Sequence, residues 1–224
     1  LNSFLLKNPV DAIITTGPPH SMHLIGYGIK KKLGLPWIAD FRDLWTTSDY
    51  QGEFMLSPVA EFIHRSQEKK VLTSANRIIT IGQTMKHDLE KAGARNVEVI
   101  TNGFDAEDLT GNTVASDGKF SIAHIGTLVK TRNPFLLWKI LSCLVKENSE
   151  LAASLQVRLV GKVDFEVEES INRFGLAPWV HKIAYLSHRE VIAEQQRSQI
   201  LLLLINQTPN AKGILTGKFF EYLA

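Results

Sequence analysis

Ile200-Leu201-Leu202-Leu203-Leu204-Ile205 and, past a polar turn, Asn210-Ala211-Lys212-Gly213-Ile214-Leu215-Thr216-Gly217-Lys218-Phe219-Phe220-Glu221-Tyr222-Leu223-Ala224 decide how this chain reads. The first run is apolar throughout and of strand length, with turn residues after it. The second is punctuated by two glycines, carries two lysines and passes into a helical pattern that holds Glu221. A strand that leads through a loop into a helix is the repeating unit of a parallel α/β sheet. It turns backbone N–H groups, and the positive end of a helix, toward anions at the mouth of the sheet. The sequence begins at Leu1 without methionine and stops at Ala224 inside the helical pattern. The expectation is therefore a piece of a larger protein.

The same alternation extends outward from this stretch. Near-continuous Val/Ile/Leu runs predict strands over 11–16, 37–40, 77–81, 97–101, 120–125, 156–160, 181–185 and 200–205. Continuous rather than alternating runs signify strands buried on both faces, as parallel sheets require. Helical patterns fill the gaps, over 21–33, 58–73, 84–92, 135–147, 166–174 and 190–198. The fold class is α/β with parallel sheets. A polar, acidic segment over 105–118, announced by the Asn102-Gly103 turn signal, separates four strands from four. Two domains are expected, 1–110 and 119–224.

With 224 residues and 44% hydrophobic content the chain can build a real core in each half. Its net charge of +2 attracts no partner by field alone. The single Cys143 excludes an internal disulfide and fits a reducing compartment. No apolar run reaches the ~18 residues that a bilayer span needs. Basic residues are dispersed without an aromatic-interleaved stripe, which argues against nucleic acid. Walker, G-x-G-x-x-G and G-x-S-x-G motifs are absent.

Five ordered strings resemble the family 4 glycosyltransferases, the large retaining group with the GT-B fold. They are Thr16-Gly17-Pro18-Pro19-His20-Ser21; Pro36-Trp37-Ile38-Ala39-Asp40-Phe41-Arg42-Asp43; Val99-Ile100-Thr101-Asn102-Gly103-Phe104-Asp105; His124-Ile125-Gly126-Thr127-Leu128 through Arg132-Asn133-Pro134; and Lys218-Phe219-Phe220-Glu221-Tyr222-Leu223-Ala224. The resemblance implies two Rossmann-like domains, both truncated here, so that the chain is a central fragment without activity of its own. The first domain is the acceptor side, and the second binds a nucleotide diphosphate-sugar. The implied reaction is a retaining sugar transfer to an acceptor hydroxyl, in glycan or lipid-linked polysaccharide synthesis. It needs no cofactor beyond the donor substrate, and it is placed in the cytoplasm, at the inner face of the membrane for a lipid-linked acceptor. The rival reading is a non-enzymatic bilobal protein that closes on a small ligand.

The resemblance assigns the donor diphosphate to the loop of Gly126 and Thr127, with Arg132 standing where the family has lysine and Thr127 where it has arginine. A guanidinium can hold phosphate oxygens bidentately, so Arg132 suits the task; the plain alternative is a tight turn with a solvated arginine. Glu221 matches the second glutamate of an E-x7-E pattern and would hold the donor ribose diol; the first position is Gly213. Lys218, three residues ahead of Glu221, would reach a phosphate, or the two form a solvated pair. On the acceptor side, His20 would touch the reacting sugar, Arg42 an anionic group, and Asp40 would be a base if its pKa were raised. A local carboxylate–guanidinium network around Asp40, Arg42 and Asp43 is the alternative. His20 and His23 lack a third ligand, and Glu61-x-x-His64 occurs once, so no metal is expected. Lys30-Lys31-Lys32 complements a helix C-terminus and permits weak contact with an anionic membrane.

Overall fold

The computed structural model describes residues 1–48, 54–109, 117–206 and 211–224. The chain divides into two compact units, Leu1–Asn102 with Thr208–Leu215, and Gly103–Gln207 with Thr216–Ala224. Of the expected boundary segment over 105–118, Ala106–Leu109 forms a 3-10 turn, and 110–116 lies outside the described residues.

The first unit contains α1 (Asn2–Lys7), β1 (Ile13–Gly17), α2 (Ser21–Leu33), β2 (Trp37–Phe41), α3 (Pro58–Ser74), β3 (Arg77–Thr80), α4 (Gln83–Lys91) and β4 (Val97–Val99). Its four strands are parallel and stand in the order β1-β2-β3-β4. The core gathers on β2, where Trp37, Ala39 and Phe41 are fully buried against Val71 and Leu72 of α3 and Ile78 of β3. Local chemistry sets the helix ends. Gly34 closes α2 in the left-handed region, its N–H on the Lys30 carbonyl at 2.9 Å. Ser57 caps α3 ahead of Pro58 at its first turn. Lys30 Nζ donates to the Ser74 carbonyl (2.5 Å) and to Asn76 Oδ1 (2.7 Å), tying the ends of α2 and α3 together.

The second unit contains β5 (Phe120–Ile125), α5 (Phe135–Glu147), α6 (Ser149–Ser154), β6 (Leu155–Val160), α7 (Phe165–Arg173), β7 (Val180–Ile183), α8 (His188–Arg197), β8 (Ile200–Leu201) and α9 (Gly217–Leu223). Its parallel sheet has the order β7-β6-β5-β8. β5 is central, and after Phe120 every residue of it is buried. Trp138 of α5, Val157 and Leu159 of β6 and Val167 of α7 complete this core. A nearly buried ion pair, Arg158 to Glu194 through two 2.7 Å bonds, joins β6 to α8.

The expected α/β class with two parallel sheets is what the chain adopts. The boundaries differ in instructive ways. β8 ends at Leu201, not 205, because the Leu202 carbonyl is bonded by His124 Nδ1 (3.0 Å) while the chain turns out of the sheet. α8 starts at His188, two residues ahead of the expected start, under a Ser187/Glu190 capping box. β1 alternates between half-buried and exposed positions, Ile14 being 65% exposed, because it is the first strand in its sheet's order. No helix among the described residues is long and apolar enough to cross a membrane.

Two glycines of α2 test this packing. A Cβ on Gly26 would lie against the Trp37 indole and 2.8 Å from Thr15 Cγ2, whereas one on Gly28 would meet nothing within 4 Å. Gly26→Ala should cost about 1–3 kcal/mol through overpacking. Gly28→Ala should add roughly 0.5–1 kcal/mol through helix propensity. Urea unfolding of both variants checks the sign of each.

Candidate functional site

In the second unit, the order β7-β6-β5-β8 reverses direction between β5 and β8, and the crevice beyond such a reversal is where open α/β sheets bind ligands. Gly126 follows β5 with φ +122, its N–H on the Val160 carbonyl at 2.8 Å. The loop is then pinned by Leu128, whose N–H reaches the Lys162 carbonyl and whose carbonyl accepts from Asp164. Next comes the single 3-10 turn Lys130–Arg132. Asn133 anchors it, accepting from Trp138 Nε1 and donating to Ser170 Oγ, both at 2.8 Å.

On this frame Arg132 is half-buried and donates from Nε to Asn206 Oδ1 at 2.7 Å. Lys218 reaches across so that its ammonium rests on the Gly126 Cα; a Cβ there would collide with Lys218 Nζ. Burial, and then the charge of Arg132, lower the Lys218 pKa from its ordinary value, with Glu221 opposing. Neither cation has a carboxylate partner within ion-pair distance among the described residues. Beneath them lies His124, 2% exposed, with Nδ1 on the Leu202 carbonyl and Nε2 buried without a well-formed hydrogen bond. Burial lowers its pKa, and Lys218 and Arg132 add to the effect while the Leu202 and Thr127 carbonyls oppose it. Two cations thus meet at Gly126 with a buried imidazole below, and no carboxylate among the described residues stands within ion-pair distance of either.

The structure thus brings Gly126, Arg132 and Lys218 together. Thr127 is exposed on the same loop. Glu221 is exposed, and its Oε2 lies 3.5 Å from Gln195 Nε2, beside a small recess lined by Phe104, His188 and Ile192. Glu221 and Lys218 make no ion pair.

In the first unit, His20, Asp40 and Arg42 collect where β1 and β2 end side by side. His20 stacks on Trp45 (5.4 Å between ring centroids) and Phe41 (5.8 Å), with both ring nitrogens buried and neither in a well-formed hydrogen bond. Burial lowers its pKa, the Leu44 carbonyl opposing. His23 is fully buried, bonded through Nδ1 to Thr15 Oγ1 at 2.8 Å, and burial with the neighbouring His20 takes its pKa down to about 4. Asp40 is the group that a base needs: burial raises its pKa, against the pull of Arg42 and the Thr16 hydroxyl. Its Oδ2 stands 4.0 Å from Arg42 Nη1. Arg42 also donates through Nη2 to Asn102 Oδ1, and Asn102 Nδ2 donates to the Leu215 carbonyl at 3.1 Å.

Other residues at these sites draw no role from the sequence. Trp45 Nε1 donates to His64 Nδ1 at 3.0 Å, so the proton of neutral His64 sits on Nε2. Buried Glu68 accepts from the Thr46 amide and hydroxyl. Asn206, His124 and Tyr222 surround the Gly126 loop without any spacing pattern to reveal them. Among the described residues no group of three or more His, Cys, Asp and Glu is placed to hold a metal.

No family model matches the chain, and no curated protein matches it. Solved structures do. The sucrose-phosphate synthase of Thermosynechococcus elongatus superposes with a TM-score of 0.65 at 14% identity, over 89% of this chain and 51% of that one. A glycosyltransferase from Rickettsia africae gives 0.63 at 14% identity, over 89% and 52%. S. aureus TarM, crystallised with UDP, fondaparinux and α-GlcNAc-glycerol, gives 0.60 at 12% identity, over 89% and 38%. The likeness shows the fold: the two four-stranded parallel sheets match the Rossmann-like domains of GT-B proteins. The chain spans about half the length of the first of these structures.

The buried histidines give a pH dependence of definite sign. His23 is neutral when folded with a pKa of about 4, against an unfolded value of 6.5. Its contribution is fully present above about pH 6.5 and is lost as pH falls toward about 4. Taken alone, this amounts to roughly 2 kcal/mol between pH 7.5 and pH 5. His23→Gln should flatten that slope in urea unfolding measured at the two pH values.

Proposed function

We propose that the chain is the sugar-transferring core of a retaining family 4 glycosyltransferase, acting on a nucleotide diphosphate-sugar and an acceptor hydroxyl. The observation that carries this reading is the convergence of Arg132 and Lys218 over Gly126 at the sheet's switch point, with no carboxylate among the described residues within ion-pair distance of either. Paired phosphates supply the missing negative charge. The similar folds of a sucrose-phosphate synthase, a glycosyltransferase and a UDP complex of TarM support it.

In this reading the bond from the sugar's anomeric carbon to the diphosphate oxygen breaks, and a bond from the same carbon to the acceptor oxygen forms on the same face. The leaving group is the nucleoside diphosphate. Arg132 and Lys218 stabilise its growing charge, a role side-chain cations can fill without an obligatory divalent ion. Gly126 and Thr127 let the phosphates approach the backbone, and Glu221 takes the ribose hydroxyls. Asp40 receives the acceptor's proton, its raised pKa bringing it toward that task. Arg42 meets an anionic acceptor group, and His20 presents an aromatic face to the sugar. The acceptor is a glycan or lipid-linked glycan, met at the cytoplasmic face of a membrane.

Calorimetric titration with UDP, GDP and ADP tests the donor site. One nucleotide should bind, and Arg132→Ala should weaken it about ten- to a hundredfold, the loss of one charge-assisted contact. Gly126→Ala should weaken it too, by displacing Lys218. Glu221→Gln should cost less, and nothing for a dideoxyribose ligand. Binding unchanged in Arg132→Ala would refute the phosphate assignment.

A further inference from the structure

Next to His20 the first unit holds a cavity of about 500 Å³ to which the proposed transfer gives no occupant. Its walls are mostly hydrocarbon. Pro18 and Pro19 come from the loop after β1, Trp45 from the loop after β2, and Phe54 and Leu56 from the stretch ahead of α3. His20 adds ring carbon, since both of its nitrogens are buried. Among the described residues no Asp, Glu, Lys or Arg lines the space. Its polar groups are few: Ser21, and His64 and Gln67 of α3.

The Trp45 wall is fixed from one turn of α3. His64 Nδ1 accepts from Trp45 Nε1 at 3.0 Å. Glu68, on the next turn of the helix, accepts from the amide and hydroxyl of Thr46. Trp45 in turn lies on His20, with the two rings 15° from parallel. The shape is thus set before a ligand arrives, which spares the cost of ordering it. The bond from Trp45 also leaves the proton of neutral His64 on Nε2, and Nε2 makes no hydrogen bond among the described residues.

We propose that this cavity is a binding site for a neutral, planar ring compound that carries one hydrogen-bond acceptor, an aromatic ketone or ether. The volume lies within the range of small-molecule sites. The flat faces of Trp45, Phe54 and the two prolines favour a ring over a branched chain. An ionised ligand would lose its water here without gaining a charged partner. A sugar, with a hydroxyl on nearly every carbon, would leave most of them unpaired against hydrocarbon. A single acceptor is matched by the His64 Nε2–H, with Gln67 as a second donor in the lining. The inference goes beyond the transferase reading and does not rest on it.

Prodan, an uncharged naphthyl ketone whose emission brightens and moves to the blue in apolar surroundings, is the probe. Its emission should rise saturably on titration with the full chain. Competitors that differ in one group report the chemistry. Acetylnaphthalene should displace prodan, and ethylnaphthalene, which lacks the acceptor, should compete about three- to tenfold less well. Naphthoate, whose charge finds no partner, should compete less well by about tenfold or more. His64→Phe should weaken prodan by about the same three- to tenfold, and His64→Gln, which keeps a donor and an acceptor, should restore it. Phe54→Arg, at a side chain 59% exposed, should weaken prodan about tenfold by placing a cation in the lining. Leu136→Arg, 66% exposed on α5, should change nothing. Melting temperatures of these two arginine variants should match that of the unaltered chain, since both positions are exposed. The proposal is overturned by absence of saturable prodan binding, by equal competition from the three naphthalenes, or by unchanged binding in Phe54→Arg. A loss in Leu136→Arg as large as in Phe54→Arg overturns it too, since the probe then reads apolar surface at large. Nucleotide titration reads the transferase proposal separately, so either can fail without the other.

Discussion

Parallel pairing forbids hairpins. Each strand must be followed by a return over the sheet before its neighbour can be laid down, so all carboxyl ends collect on one edge. Both units obey this constraint, and their candidate groups lie on those edges as a result. In the second unit the order β7-β6-β5-β8 opens a crevice at the reversal, and the residues after β5 and β8 line it, from Gly126 to Asn206. The first sheet, in sequential order, has no reversal among the described strands. Its polar groups gather instead where Gly17 and Phe41 pair at the ends of β1 and β2.

The two sites are electrostatic opposites. His20 and His23 are buried among Phe41 and Trp45 and held neutral. In the other unit Arg132 and Lys218 stand close together, with Glu221 acting on Lys218 from beyond ion-pair distance. A third arrangement, Arg158 with Glu194 and Arg197, shows what the protein does with cations that serve the fold: they are matched to a carboxylate, two 2.7 Å bonds in the case of Arg158. Leaving like charges adjacent works against folding, which supports the ligand role proposed for Arg132 and Lys218.

Much of this was legible in the residues. Eight strand runs match eight strands among the described residues, because strands buried on both faces, such as β5, are mostly apolar. The glycine after β5 announced a loop, and Arg132 and Lys218 were readable as cations near it. Other features were not. The short helix α6 depends on Asn148 capping Leu151, a signal of one residue. β8 looked longer than it is because leucines 202–204 pack as half-buried loop residues rather than in the ladder. His124 read as a strand residue, since nothing in a sequence says which carbonyl an imidazole will take. Likewise Trp45 and His64 are nineteen positions apart, and only the packing of α3 makes them partners. The segment 110–116, where the division between halves was sought, lies outside the described residues, and the units separate at Asn102 and Gly103.

Gly17 carries a consequence for how this protein can change. A Cβ at that position would lie 2.7 Å from His23 Nε2, 2.9 Å from His20 Nδ1 and 3.3 Å from the His20 Cα. The two rings occupy the volume that a side chain would need, so the glycine is dictated by the histidines rather than by its own backbone. The three positions are coupled: a side chain at Gly17 requires both rings to shift, whereas smaller residues at 20 and 23 release most of the constraint. A change in the chemistry of this end of the sheet is therefore easiest when it begins at the histidines.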